Sequence, residues 1–310
     1  MKSWKTPDDY IEEYIQWHCS SDTREAVGCT EKFYELGFFD MRCGGWDLYA
    51  EYQTLCKSCP HYTHDISLYF GIGKYTDNIS ESDTVWCRYK ISKKREFEDL
   101  LSVIPKEIKA ISFVDFRLET LIGLEAFPNL ECVLIDYAPK LLHFWDFKKT
   151  PKLKVLEYTS NTHLTNLNEI SEAKSLEYFG IATLVSRLDK LSYVDSFYPL
   201  TQLPNLKELS LECAMCSDGN IDNLINIPNL EMLWISPHTF EVEQFAKFEA
   251  LKFKIYDEYG IYKNGDDYVR PLGKGKKTFR SEKAKAQFEE EYRSLMLKNS
   301  KIHNSQYPKI

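Results

Sequence analysis

Cys56-x-x-Cys59-Pro-His61-x-x-His64 is the segment whose residue types and spacing come nearest to a reactive or metal-binding centre. Zinc takes four thiolate or imidazole ligands in a tetrahedron, and a Cys-x-x-Cys turn supplies two of them. His61 and His64 could complete such a set, or Cys43, just before Gly44-Gly45, could add a third thiolate. A structural zinc site ordinarily draws its second pair from across a loop, and His61 stands too close to Cys59 for that. A redox role would need the pair at a strand-to-helix junction, which the surrounding residues do not outline. The plainer reading is a cysteine-rich, partly buried loop, so Cys56, Cys59, His61 and His64 are weak metal candidates and no cofactor is expected.

Other chemistry is thinner. Cys213-x-x-Cys216 has no partner pair and is expected to serve packing. The run Arg270-Pro-Leu-Gly-Lys-Gly-Lys-Lys-Thr-Phe-Arg280 has the residues of a phosphate loop but not its spacing, and no apolar strand leads into it. It reads as a basic loop docked on the acidic body; contact with nucleic acid is the other reading, one that would weaken steeply with salt. His-Glu-x-x-His, Gly-x-Ser-x-Gly and Gly-x-Gly-x-x-Gly are all missing from the chain. Nothing marks an enzyme, and no catalytic residue is assigned.

The middle of the chain carries the stronger signal. An apolar residue, two variable ones, an apolar residue, one variable and another apolar residue recur as Leu130-Val133-Ile135, Leu153-Leu156-Tyr158, Leu176-Phe179-Ile181, Leu206-Leu209-Leu211 and Leu230-Leu233-Ile235. Weaker copies, Ile108-Ile111-Phe113 and Phe248-Leu251-Phe253, bracket them. The anchors lie 22, 23, 23, 30, 24 and 18 residues apart, and Pro128, Pro151, Pro204 and Pro228 precede four of them by two positions. A period in the twenties predicts stacked units of one strand and one return segment. The 30-residue interval holds an insertion around Asp189–Pro199 with Tyr193, Phe197 and Tyr198.

These repeats resemble the leucine-rich repeat family over about half the chain. The likeness lies in the Leu-x-x-Leu-x-Leu core. It departs three residues past the last apolar position, where the family places Asn or Cys and this chain has Phe116, Ala138, Asn161, Leu184, Ala214, His238 and Tyr256. The subgroup is therefore irregular. The resemblance implies an α/β solenoid with a curved parallel sheet used for protein–protein recognition, without catalytic activity. It also implies which residues point outward from the sheet. Among them Tyr178, Met232 and Trp234 stand with Asp136, Glu157, Glu208 and Glu212, an aromatic and acidic patch suited to a basic protein partner.

Around the repeats of 106–258, residues 1–105 read as an aromatic and cysteine-rich α/β capping module. Its expected elements are a helix after Pro7, a strand over Ile66–Ile72 and a helix over Lys93–Leu101. Residues 259–310 read as a basic cap: a hairpin about Asn264-Gly265, then a helix over 282–297 capped by Ser281. The last segment carries 12 Lys and Arg against 6 Asp and Glu; the rest carries 27 against 41, a balance of −14. So acidic a body repels polyphosphate and attracts cations. Nucleic acid is thus disfavoured as a partner.

Nine cysteines without a recognisable secretion signal, together with a mean hydropathy of −0.42, predict a cytoplasmic protein with reduced thiols and no membrane span. Size and charge suggest a non-enzymatic binder such as an immunity protein or antitoxin. The alternative is an enzyme or zinc-dependent module in residues 1–105, with the repeats recruiting its substrate.

Overall fold

The computed structural model describes Tyr75, Ile79 and residues 84–135, 137–159, 163–182, 192–211, 214–256, 259–263, 269–275 and 278–306. A seven-stranded parallel sheet organises it, in the order β1 (Thr84–Ile91), β2 (Ala110–Phe116), β3 (Cys132–Ile135), β4 (Val155–Thr159), β5 (Tyr178–Ala182), β7 (Glu208–Leu211) and β9 (Met232–Ile235). Each strand pairs with the next unit's strand in a fixed register. Leu156 meets Phe179, Phe179 meets Leu209 and Leu209 meets Leu233. Side chains alternate across a strand, so this register aligns every second apolar residue of the phrase on one side. Val133, Leu156, Phe179 and Leu209 are fully buried there, in one continuous apolar core.

The prolines set the entrance to each strand. Leu130 N–H donates to the Phe127 carbonyl at 3.1 Å, and Leu153 N–H to that of Thr150 at 3.1 Å. Pro128 and Pro151 thus hold the second position of a four-residue turn, where a φ near −65° is required. Return segments are mostly short 3-10 turns (Leu124–Ala126, Phe147–Lys149, Asn168–Glu172, Tyr198–Gln202), with one brief helix, α2 (Asp222–Ile225). Leu124, Phe147, Ile170, Leu200 and Leu224 point from them into the core. Where the family has Asn, Phe116, Ala138 and Ala214 are fully buried. The turning backbone binds its neighbour directly instead: Phe116 N–H donates to the Tyr137 carbonyl at 2.8 Å and Ala138 N–H to that of Thr159 at 3.1 Å.

One position past each anchor, charge alternates down the sheet through Lys109, Glu131, Lys154, Glu177, Lys207 and Glu231. Lys154 Nζ lies 3.0 Å from Glu131, and Lys207 Nζ 2.6 Å from Glu177. The Lys207 ammonium is held above its ordinary pKa, chiefly by its hydrogen bond to Glu177.

The ends differ from the repeat pattern. Seven sheet strands are present, but β1 is one that no copy of the phrase announces. It lies in the segment read as the N-terminal module and joins β2 through Val85↔Ile111. The weak copy Phe248-Leu251-Phe253 forms no strand; it falls on helix α3 (Val242–Leu251), which buries Phe245, Ala246 and Phe248. Apolar residues at 242, 245, 246 and 248 recur at helical spacing, which prevails over the 18-residue echo of the phrase. The insertion contributes β6 (Ser192–Val194), paired in parallel with β8 (Ala214–Cys216) as a separate small sheet. It buries Phe197 and leaves Tyr193 and Tyr198 exposed.

The helix expected over Lys93–Leu101 is α1 (Lys94–Val103). The hairpin forms from β10 (Ile261–Lys263) and β11 (Val269–Pro271); its Asn264-Gly265 turn lies outside the described residues. Helix α4 runs from Glu282 to Gln306, nine residues past the expected end, and the Ser281 hydroxyl accepts from Ala284 N–H at 3.2 Å as its cap. Tyr292 of α4 is fully buried against Gly260, whose φ of +67° and missing side chain admit the ring. The expected helix after Pro7 and strand at Ile66–Ile72 lie outside the described residues. No helix among the described residues is long and apolar enough to cross a membrane.

Candidate functional site

The sheet side turned away from the core is where recognition is expected, and its residues split into two groups. From β2 to β7 they are buried. Ala110, Cys132 and Val155 are fully enclosed, and Leu134, Glu157, Tyr178, Glu208 and Ser210 nearly so. On β9, Met232 is 39% and Trp234 56% exposed. The expectation that Glu157, Tyr178 and Glu208 stand open to solvent is therefore corrected: all three are buried. Asp136 and Glu212, the other two expected contact residues, lie outside the described residues.

Tyr75 is the described residue that stands over the buried part. It is 6% exposed, and its ring lies 6.2 Å from that of Tyr178 at 52°. Its hydroxyl faces the Glu208 carboxylate. Burial first, then the negative charges of Glu208, Glu177 and Glu231, raises its pKa well above the ordinary phenol value. Tyr178 donates to Glu157 Oε2 at 2.6 Å. Its phenol is likewise raised, by burial and then by Glu157, while Ser210 hydrogen-bonds it from the neighbouring strand. Two carboxylates thus each lie against a phenol that stays protonated at neutral pH. Such phenols donate hydrogen bonds but cannot act as bases, so the arrangement suits recognition better than proton abstraction.

The open end is built by the strand order. Met232 pairs with Glu208 and Trp234 with Ser210, so both continue the buried rows onto the last strand. Glu231, beside Met232, is exposed as well. The Tyr256 hydroxyl donates to the Ile235 carbonyl and fixes the strand's far end. Lys252 and Lys254, just past α3, are engaged locally: Lys252 Nζ donates to the Ile227 carbonyl at 2.6 Å, and Lys254 Nζ lies 4.2 Å from the Tyr259 ring centre. The basic segment after β11 docks by its backbone, with Gly273 N–H on the Pro237 carbonyl at 2.8 Å and Lys274 N–H on that of Phe240 at 3.0 Å.

The metal candidates Cys56, Cys59, His61 and His64 lie outside the described residues. Among the described residues no group of three or more His, Cys, Asp or Glu could hold a metal ion. Cys132 and Cys216 are free and buried, and Cys87 is buried as well. The Cys216 thiol donates to Asp218 Oδ1 at 2.9 Å and is pushed up to about 12 by burial and then by that carboxylate. It is a packing cysteine rather than a nucleophile.

Tyr75 and the charge ladder escaped the motif reading. The ladder is legible once the strands are aligned by their anchors. Tyr75 has no local signal, because its partners are more than one hundred residues away in sequence.

No protein-family model matches the chain, and neither does any curated protein sequence. Among solved structures it is similar to internalin C2 of Listeria monocytogenes, at 17% identity and a TM-score of 0.36, over 47% of this chain and 57% of that one. It is also similar to a leucine-rich repeat protein of Leptospira interrogans, at 14% identity and a TM-score of 0.18, over 52% of this chain and 62% of that one. In both cases the chain spans less than two thirds of the neighbour's length.

Proposed function

We propose that this protein is a non-enzymatic binding scaffold, a solenoid whose sheet presents Met232 and Trp234 to a basic protein partner. The observation that carries the reading is Trp234, 56% exposed on a regular strand with Met232 beside it. A large aromatic left in water on a rigid element is costly for solubility and is what an interface centre contains. The surrounding charge selects the partner's sign: Glu208 and Glu231 lie next to Met232, and residues outside the C-terminal segment carry a balance of −14. A cationic partner is steered toward such a surface. One-to-one neutralisation of a basic protein, in the manner of an immunity protein or antitoxin, fits a body of this size and charge.

The test uses the full chain as bait and compares parent, Trp234→Ala and Glu231→Lys side by side, with Tyr198→Ala as a control on a different exposed aromatic. A basic protein retained stoichiometrically by the parent and by the control should lose roughly 30-fold in affinity with Trp234→Ala, the effect of an interface hot spot. Equal retention by Trp234→Ala and the parent would end the reading.

A further inference from the structure

We infer that Glu249 is a protonation latch for the helix α4: with its carboxyl protonated, α4 stays clamped on α3 through Tyr292, and with it ionised, α4 is released while the sheet stays intact. The first ground is where the carboxyl lies. Helices α3 and α4 pack against each other. Glu249 is on α3 and only 7% exposed, and Tyr292 of α4, fully buried in the slot left by Gly260, lies against it. A carboxyl in the seam between two packed helices regains water only when they part.

The second ground is its hydrogen bonding. Glu249 Oε1 accepts from Ile255 N–H at 3.0 Å. Oε2 and the Tyr292 hydroxyl face each other, yet both are buried without a well-directed hydrogen bond. A proton on Oε2 leaves no charge to bury and gives the pair a second donor to share. A charge there is shut away from water.

The third ground is the surroundings. The other groups facing Glu249 are the Tyr256 N–H and Lys254, both from the segment after α3. Arg293, beside Tyr292, lies 4.0 Å from Glu289, and Lys247, on the far side of α3, lies 2.6 Å from Asp222. Burial outweighs what faces the carboxyl and holds it above its ordinary pKa. A carboxyl that binds its proton more tightly when docked favours docking most below its free value, about 4.3, and that contribution is lost as pH rises through the docked value. Because α4 belongs to no sheet, its release breaks no strand pair.

The experiment is hydrogen exchange on the full-length protein, read as protection factors so that the intrinsic effect of pH on exchange drops out. In the parent, protection across residues 288–295 should fall about tenfold between about pH 5 and pH 8, while β4 and β5 keep theirs. Glu249→Gln, which keeps the shape and carries no titrating proton, should hold α4 at one level throughout. Parent protection in α4 that does not change with pH overturns the latch, whether or not the variant folds. So does a fall in Glu249→Gln equal to the parent's. A parallel loss in β4 and β5 overturns it as well, because the opening would then be unfolding of the whole body.

Discussion

Glu157 and Gly180 face each other across the β4–β5 ladder, and a Cβ at position 180 would stand 2.7 Å from Glu157 Cγ. The glycine is there for space: it lets the Glu157 carboxylate lie flat over the strand and take the Tyr178 hydroxyl at 2.6 Å. Gly180→Ala should push Glu157 off that hydrogen bond and cost about 1–3 kcal/mol, the usual range for overpacking a closed site. Denaturant unfolding of the two proteins checks it. A midpoint unchanged by Gly180→Ala would mean that the Glu157 side chain swings away freely.

Tyr158 lies on the opposite side of β4, with its ring between Phe144 at 5.8 Å and Phe179 at 6.0 Å. Its hydroxyl is buried without a hydrogen-bond partner, and burial alone raises its pKa. Removing an unpaired buried hydroxyl relieves a desolvation cost while the ring packing stays. Tyr158→Phe should therefore stabilise the protein by about 1 kcal/mol. A loss of stability instead would show that the oxygen has a partner in solution.

The charge ladder makes a prediction that isolated ion pairs do not. Lys154 lies between Glu131 and Glu177 on neighbouring strands, so Lys154→Glu sets three carboxylates in a row. The expected loss is about 1 kcal/mol at low salt, shrinking as salt screens the row. Adding Glu131→Lys would rescue a simple pair. In a ladder it places lysine against Lys109 and leaves glutamate against Glu177, so the double variant should remain destabilised. Full rescue would reduce the ladder to separate pairs.

Much of the sheet was readable in advance because register is a local matter. Five clear copies of the phrase place Val133, Leu156, Phe179, Leu209 and Leu233 in line, and the strands pair accordingly. β1 was missed because Val85, Cys87 and Ile91 alternate without a leucine anchor. The helical spacing of Phe240, Val242, Phe245 and Phe248 is legible and α3 follows it; the strand expected at Phe248-Leu251-Phe253 fails because Phe248 and Leu251 satisfy the phrase and the helical stripe at once. The site was legible only in part. Met232 and Trp234 are exposed as their place in the phrase implies, but the same argument put Glu157, Tyr178 and Glu208 in water. What encloses them includes Tyr75, and no pattern along the chain encodes a contact spanning more than a hundred residues.

Asp218 tests the insertion's small sheet by pH. Burial would raise its carboxyl, yet hydrogen bonds from the Cys216 thiol, Asn220 N–H and the Ser196 hydroxyl, each 2.9 Å long, outweigh burial and leave its pKa below the ordinary value. A carboxyl more acidic in the folded state stabilises it at pH values above the unfolded pKa, about 3.9, and that contribution fades as pH falls through the folded value. Asp218→Asn should therefore be less stable than the parent at pH 6, and the gap should narrow steadily as pH falls from about 4 toward 2. Because Asp218 is solvent-exposed, the gap should also be modest. Stability measured by denaturant at several pH values reads it directly, and a gap that stays constant through this range would mean that the hydrogen bonds do not depend on the charge.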